Sequence, residues 1–216
     1  MSRVVIAGAS GLIGGNLCTM LAGHEVDVVV RNRIGNFPDV ITQHVADPSH
    51  WPEVIATLRP KVAISCLGTT WKKSGKDAAQ FRAVDKDLVC AFATAASLAG
   101  AAQFITVSSV GATKNTSNLY LRTKGEVEDL LALLGFERLD IMRPGLLTGD
   151  RRNDRRVGER AAILAAPIVD RLIPQFFSRF RSIPASTVAR AIAQVIDKTV
   201  PGQFIHENEA IQSLAG

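Results

Sequence analysis

The sequence predicts a doubly wound α/β fold, a mainly parallel sheet with helices on both faces, in a single domain with a small insertion near its C-terminal end. Three observations carry that expectation. Short β-branched runs alternate with helix-spaced stretches along the chain. Most of the strand segments are unbroken Val/Ile/Phe/Leu runs, as in sheets covered on both sides. The length, 216 residues, suits one unit better than two, given about 150 residues per domain. The domain is therefore expected to span residues 1–216.

Residues 3–7 (RVVIA) form a β-branched run that ends in glycines, and residues 12–22 then place apolar side chains at helical spacing. The chain thus opens as strand, turn and helix. Residues 26–30 and 41–45 read as the next two strands. Residues 51–58 read as a helix with Ser49 as its N-cap and Pro52 in its first turn. Residues 62–66 form a strand that runs to Gly68, the Ala-rich stretch 78–99 a long helix, and 104–107 a strand ending at Ser108 and Ser109. Residues 119–134 are a helix stopped by Gly135, and 139–142 a strand stopped by Pro144. A helix over 188–197 and a short strand over 204–206 complete the series. The segment 149–184 breaks the rhythm, opening with Arg151, Arg152, Arg155 and Arg156 and continuing into Leu172, Ile173, Phe176 and Phe177. It reads as a small substrate lid.

Composition narrows the function classes. Apolar residues make up 47% and charged residues 21%, ordinary globular usage that excludes a disordered or collagen-like chain. The net charge of +5 is spread among mixed acids and bases, so phosphate-bearing small molecules account for it and no nucleic-acid partner is expected. Cys18, Cys66 and Cys90 are far apart and odd in number, and His24, His44, His50 and His206 form no ligand pair, so neither disulfides nor a metal site is expected. No apolar run reaches about 18 residues, and the start lacks the apolar core of a secretory signal, which suggests the cytoplasm without stable membrane insertion. The state expected is monomer or homodimer.

The turn after the first strand reads Gly8, Ala9, Ser10, Gly11, Leu12, Ile13, Gly14. Glycines at this spacing, between a strand and a helix, permit a tight turn, backbone approach to a pyrophosphate and close helix packing. The amides of the following helix attract the phosphates. This is the dinucleotide site of a Rossmann fold. At the end of the second strand an acid would bind the ribose 2′-OH of NAD, but the chain has Arg31, Asn32 and Arg33. Guanidinium groups suit a 2′-phosphate, so NADP(H) is the cofactor expected. Asp47 either hydrogen-bonds the adenine amino group or caps the helix that follows.

The only tyrosine, Tyr120, precedes Lys124 by four residues on a predicted helix, so the two share a face. Phenols ordinarily titrate near pH 10, about three units too high for neutral acid–base work, and a neighbouring ammonium favours the phenolate. Ser108 and Ser109 end the preceding strand at the carboxyl edge, where a hydroxyl can hold a substrate carbonyl. Serine, tyrosine and lysine together form a candidate reductase site.

The turn GASGLIG, the strand-end SS, the helix start YLRTK and the segment IMRPGLLTGDR resemble the short-chain dehydrogenase/reductase superfamily in its atypical branch. CLGTTWKKSGK, FRAVDKD and LYLRTKGEVE are similar to small NADPH-binding proteins of the Tat-interacting oxidoreductase type, and the resemblance spans nearly the whole chain. It implies that Gly8, Gly11 and Gly14 meet the pyrophosphate, that Tyr120 and Lys124 are the acid–base pair, and that Ser109, with Ser108 as the alternative, is the hydroxyl. By the same resemblance Leu67 and Gly68 line the cofactor, and Pro144 and Gly145 lie by the nicotinamide. Ser65-Cys66-Leu67-Gly68 stands where many members have Asn-Asn-Ala-Gly, so a complete four-residue relay is not implied. The expected activity is NADPH-dependent hydride transfer to or from a small carbonyl or alcohol substrate. The alternative is an NADPH-binding regulator or scaffold without turnover.

Overall fold

The computed structural model describes residues 2–21, 23–35, 37–149 and 179–216. In chain order the elements are β1 (Arg3–Ala7), α1 (Leu12–Cys18), β2 (Glu25–Val30), β3 (Ile41–Val45), α2 (Trp51–Leu58), β4 (Val62–Ser65), α3 (Ala78–Arg82), α4 (Val89–Leu98), β5 (Gln103–Val107), α5 (Leu119–Ala132), β6 (Arg138–Arg143), β7 (Leu147–Thr148), β8 (Ile183–Pro184), α6 (Ala185–Val195), β9 (Gly202–Glu207) and α7 (Asn208–Ala215). Seven strands form one sheet in the order β3-β2-β1-β4-β5-β6-β9, with every neighbouring pair parallel. The chain winds outward from β1 through β2 to β3, then returns to β4 and winds the other way. That reversal leaves a crevice beyond the carboxyl ends of β1 and β4, where open α/β sheets bind ligands.

Side-chain alternation on the strands sorts the core into two layers. Val4, Ile6, Val28 and Ile64 face α1 and α6 through Ile13, Leu17, Val188 and Ile192. Val5, Ala7, Val29 and Ala63 face α2, α4 and α5 through Ile55, Phe92, Val127 and Leu131. The inner strands β1, β2, β4 and β5 are thus buried on both faces along most of their length, which is why their sequences are largely apolar.

The late helix runs over Ala185–Val195 and not 188–197, and four further differences from the sequence expectation have a direct physical reason. Helix α1 ends at Cys18 and not at residue 22, because the Met20 amide bonds back to the Leu17 carbonyl and turns Leu21 into the core. The stretch 78–99 is interrupted by a π-helical turn, Ala83–Leu88, between α3 and α4. Ser49 is not the cap of α2. Pro48 starts a 3-10 turn, Pro48–His50, three residues ahead of the helix, and the Asp47 carboxylate caps that turn by taking the Ser49 amide at 3.0 Å. Strand β9 is longer than residues 204–206 because it pairs in register along all of β6, from Arg138↔Gly202 to Arg143↔Glu207.

The lid expected over 149–184 falls mostly on residues 150–178, outside the described part. Its base is described: Leu147–Thr148 pairs in parallel with Ile183–Pro184. The cysteines are free. Burial pushes the Cys18 and Cys66 thiols up to about 12, which favours the protonated form at neutral pH. His44 and His206 are tied to single carboxylates, Asp27 and Asp140.

Candidate functional site

Main-chain contacts build the glycine turn. Gly8 has φ +86°, and a Cβ there would lie 2.5 Å from the carbonyl carbon of Cys66 at the end of β4. A Cβ on Gly14 would lie 2.3 Å from the Gly8 carbonyl oxygen. Only glycine lets β1, β4 and α1 converge this closely. Helix α1 starts without a side-chain cap, so its first amides face the crevice with no side chain across them. Ser10 and Gly11 are exposed, Leu12 is half-buried, and the Ile13 side chain packs in the core, so it can meet a ligand through its backbone alone.

Arg31 and Arg33 are exposed on the loop after β2. The Asp47 carboxylate accepts from the Ser49 amide and, at 2.7 Å, from its hydroxyl, both through Oδ1. These bonds hold the carboxyl below its ordinary range, and the His50 and Arg31 charges add to the effect. The capping role of Asp47 is therefore present in the fold, and the Arg31 charge lies within its electrostatic reach.

On the other side of the crevice, Asn118 caps α5 by accepting the Leu121 amide at 3.1 Å. Tyr120 thus sits in the first helical turn and Lys124 one turn below. The phenol ring is 40% exposed and packs 5.9 Å from the ring of Phe81, which in turn meets Trp71. Lys124 is buried, with Nζ 2.9 Å from the Asp85 carboxylate and 6.0 Å from the centre of the Tyr120 ring. Asp85 also takes the Thr69 amide at 2.7 Å. A Cβ on Gly68 would lie 3.4 Å from Asp85 Oδ1 and 3.9 Å from Lys124 Nζ. The lysine therefore reaches the edge where β4 ends, the place expected for Leu67, which is half-buried, and Gly68, which is exposed.

The two serines part company. Ser108 is buried and donates to Glu128, which is also clamped by Arg143. That ion pair raises the guanidinium pKa further. Ser109 is half-buried, and among the described residues its hydroxyl makes only a long contact, 3.4 Å, to the Val110 carbonyl. Of the two, Ser109 retains a hydroxyl for a ligand. Pro144 is buried, its carbonyl accepting the Val110 amide, and the Gly145 amide donates to Asn208 at 2.8 Å.

Sequence reasoning missed Asp85, Glu128, Arg143, Asn208 and Gly125. A Cβ on Gly125 would strike the Thr113 backbone at 2.4 Å, so this glycine lets the loop after Ser109 lie against α5. A signal for Asp85 exists: it falls between Phe81 and Val89 at four-residue spacing, on a face where both neighbours are buried. Glu128 likewise stands beside Val127 and Leu131 on the buried face of α5. A carboxylate on an apolar face requires a cationic partner.

Comparison with known proteins agrees with this geometry. The profile of a protein family described as NAD(P)H-binding matches residues 8–199. The chain is 32% identical over 227 residues to the protein named fmp52, mitochondrial, of Aspergillus clavatus, covering 100% of this chain and 96% of that one. It is 34% identical over 220 residues to the protein named HTATIP2 of Rattus norvegicus, covering 98% and 88%. Among solved structures, a UDP-glucose 4-epimerase of Thermus thermophilus in complex with NAD superposes with a TM-score of 0.71 at 17% identity, covering 99% of this chain and 81% of that one. The mitochondrial name of the Aspergillus relative overturns the cytoplasmic expectation. That expectation rested on a missing apolar secretory core, whereas mitochondrial addresses are amphipathic and basic. Among the described residues no helix is long and apolar enough to cross a membrane.

Proposed function

Because the chain belongs to the NAD(P)H-binding family, we propose that it is an NADPH-dependent oxidoreductase acting on a small carbonyl or alcohol compound. One observation carries the reading: Lys124 Nζ approaches the Gly68 position at the nucleotide edge, while the phenol one turn above it stays open to solvent. The bound nicotinamide supplies or accepts the hydride.

The chain's own residues do the rest. The Gly8–Gly14 turn cradles the diphosphate: its glycines let β1, β4 and α1 pack backbone on backbone, which holds the turn tight at the head of α1. Arg31 and Arg33 favour a 2′-phosphate over a bare ribose, which selects NADPH. Ser109 donates to the substrate oxygen, and Tyr120 gives a proton to that oxygen in reduction or takes it in oxidation. Lys124, held by Asp85 at 2.9 Å, binds the nicotinamide ribose and keeps its ammonium 6.0 Å from the centre of the phenol ring. The Asp85–Thr69 bond ties the same pair to the loop after β4.

The test is a titration with NADPH and NADH by nucleotide fluorescence, followed by a screen of aldehydes, ketones and quinones for oxidation of the bound nucleotide. Tyr120→Phe is expected to retain binding and lose turnover by about 10²–10⁴-fold, the range of general acid–base catalysis. Binding with no turnover in the wild type would favour the regulator or scaffold instead. An NADPH preference that survives Arg31→Ala and Arg33→Ala together would refute the assignment of these arginines to the 2′-phosphate.

A further inference from the structure

Strands β2 and β3 are joined by residues 31–40, and the described residues of this connection form no helix. This connection carries both arginines assigned above to the 2′-phosphate, and Gln43 of β3 reaches back to it. Its Oε1 accepts the Ile34 amide at 2.8 Å, and its Nε2 donates to the Ile34 carbonyl at 3.0 Å. The orientation of the amide is dictated by its partner, because a flipped side chain would face donor with donor and acceptor with acceptor. Gln43 thus supplies the pair of bonds that a neighbouring strand would otherwise make, at the residue directly following Arg33.

Packing alone does not fix this loop. Ile34 and Phe37 lean on the core, yet the loop borders a half-open pocket of about 250 Å³ lined by Arg33, Ile34, Phe37 and Gln43 among others. With open space beside it, the backbone next to Arg33 is held by a polar clasp as well as by these contacts. A loop held in its binding conformation before the ligand arrives loses less conformational entropy on binding. Bidentate guanidinium recognition, which demands a defined geometry, gains most from this.

We propose that Gln43 is a specificity-determining residue that holds the arginine loop ready for the 2′-phosphate of NADPH. The proposal rests on the NADPH reading above. It predicts an effect confined to the nucleotide that carries this phosphate, since NADH makes no demand on the loop. A residue that merely stabilised the fold would weaken both nucleotides alike.

The experiment measures dissociation constants for NADPH and NADH by nucleotide fluorescence in the wild type, Gln43→Ala, Gln43→Asn and Arg33→Ala. Gln43→Asn keeps the amide but is one methylene too short to reach Ile34, and it serves if Gln43→Ala does not fold. Removal of the clasp is expected to weaken NADPH about tenfold and NADH less than about twofold, approaching the selectivity of Arg33→Ala. Exchange of the Ile34 amide with solvent is expected to accelerate in the same variants. If the wild type prefers NADPH and the Gln43 variants keep that preference although Ile34 exchanges faster, the role of Gln43 is overturned while the NADPH reading stands. If the wild type binds both nucleotides equally, the NADPH reading fails and the proposal fails with it.

Discussion

The two sides of the crevice are built from different materials. On the β1–α1 side, glycines bring backbone against backbone, and the fit is steric. On the α5 side, buried charges hold the parts together: Asp85 with Lys124, and Glu128 with Arg143 and Ser108. Steric fit is insensitive to solution conditions. A charge-held region joins elements far apart in the chain and depends on each ionised partner keeping its counter-charge. The nucleotide side and the proton-transfer side should therefore fail in different ways.

The largest effect is expected at Gly14. The added methyl of Gly14→Ala would lie 2.3 Å from the Gly8 carbonyl oxygen, and neither atom belongs to a movable side chain. A stability loss of about 3–5 kcal/mol, with loss of nucleotide binding, is expected from denaturant melts and fluorescence titration. On the other side, Asp85→Asn strands a buried ammonium and is expected to cost about 3 kcal/mol. Adding Lys124→Met should recover a large part of that loss, because the stranded charge is gone. Simple additivity of the two substitutions would mean that the charges do not hold one another, and the contrast between the two sides would dissolve.

This contrast also explains what could be read from the sequence. The sheet, the glycine turn and the Tyr120–Lys124 spacing are local patterns within a few residues of one another, so periodicity and motif spacing suffice. Asp85 meets Lys124 across 39 positions of chain, and no local pattern names that partner. The π-helical turn escaped notice because a regular helix and a π-bulged one share the same propensities. Asp47 was legible as either cap or ligand, and the structure supplies the cap.

The serines sharpen the comparison at smaller scale. Ser108→Ala removes a buried donor from Glu128 and is expected to cost about 1–2 kcal/mol in a urea melt. Ser109→Ala touches no comparable partner and should stay within about 0.5 kcal/mol of the wild type, while turnover falls if its hydroxyl holds the substrate oxygen. The reverse pattern would exchange their roles.

The smallest effect tests the charge-held side by pH. Glu126 on α5 takes Arg82 and Lys86, each at 2.6 Å, and thereby fastens the π-helical turn to the helix that carries Tyr120. The Arg82 and Lys86 bonds draw its pKa from an ordinary 4.5 down to about 2. A carboxyl lowered by folding contributes stability that is fully present above 4.5 and disappears as pH falls toward 2. The pair is partly solvated, so Glu126→Gln is expected to lose only about 1 kcal/mol at neutral pH. In urea melts from pH 7 to about 2, the gap between wild type and Glu126→Gln should close across that acid window. The penalty of Gly14→Ala, being steric, should stay constant over the same range. A Glu126→Gln gap that stayed equally constant would show that its bonds act through packing and not through charge.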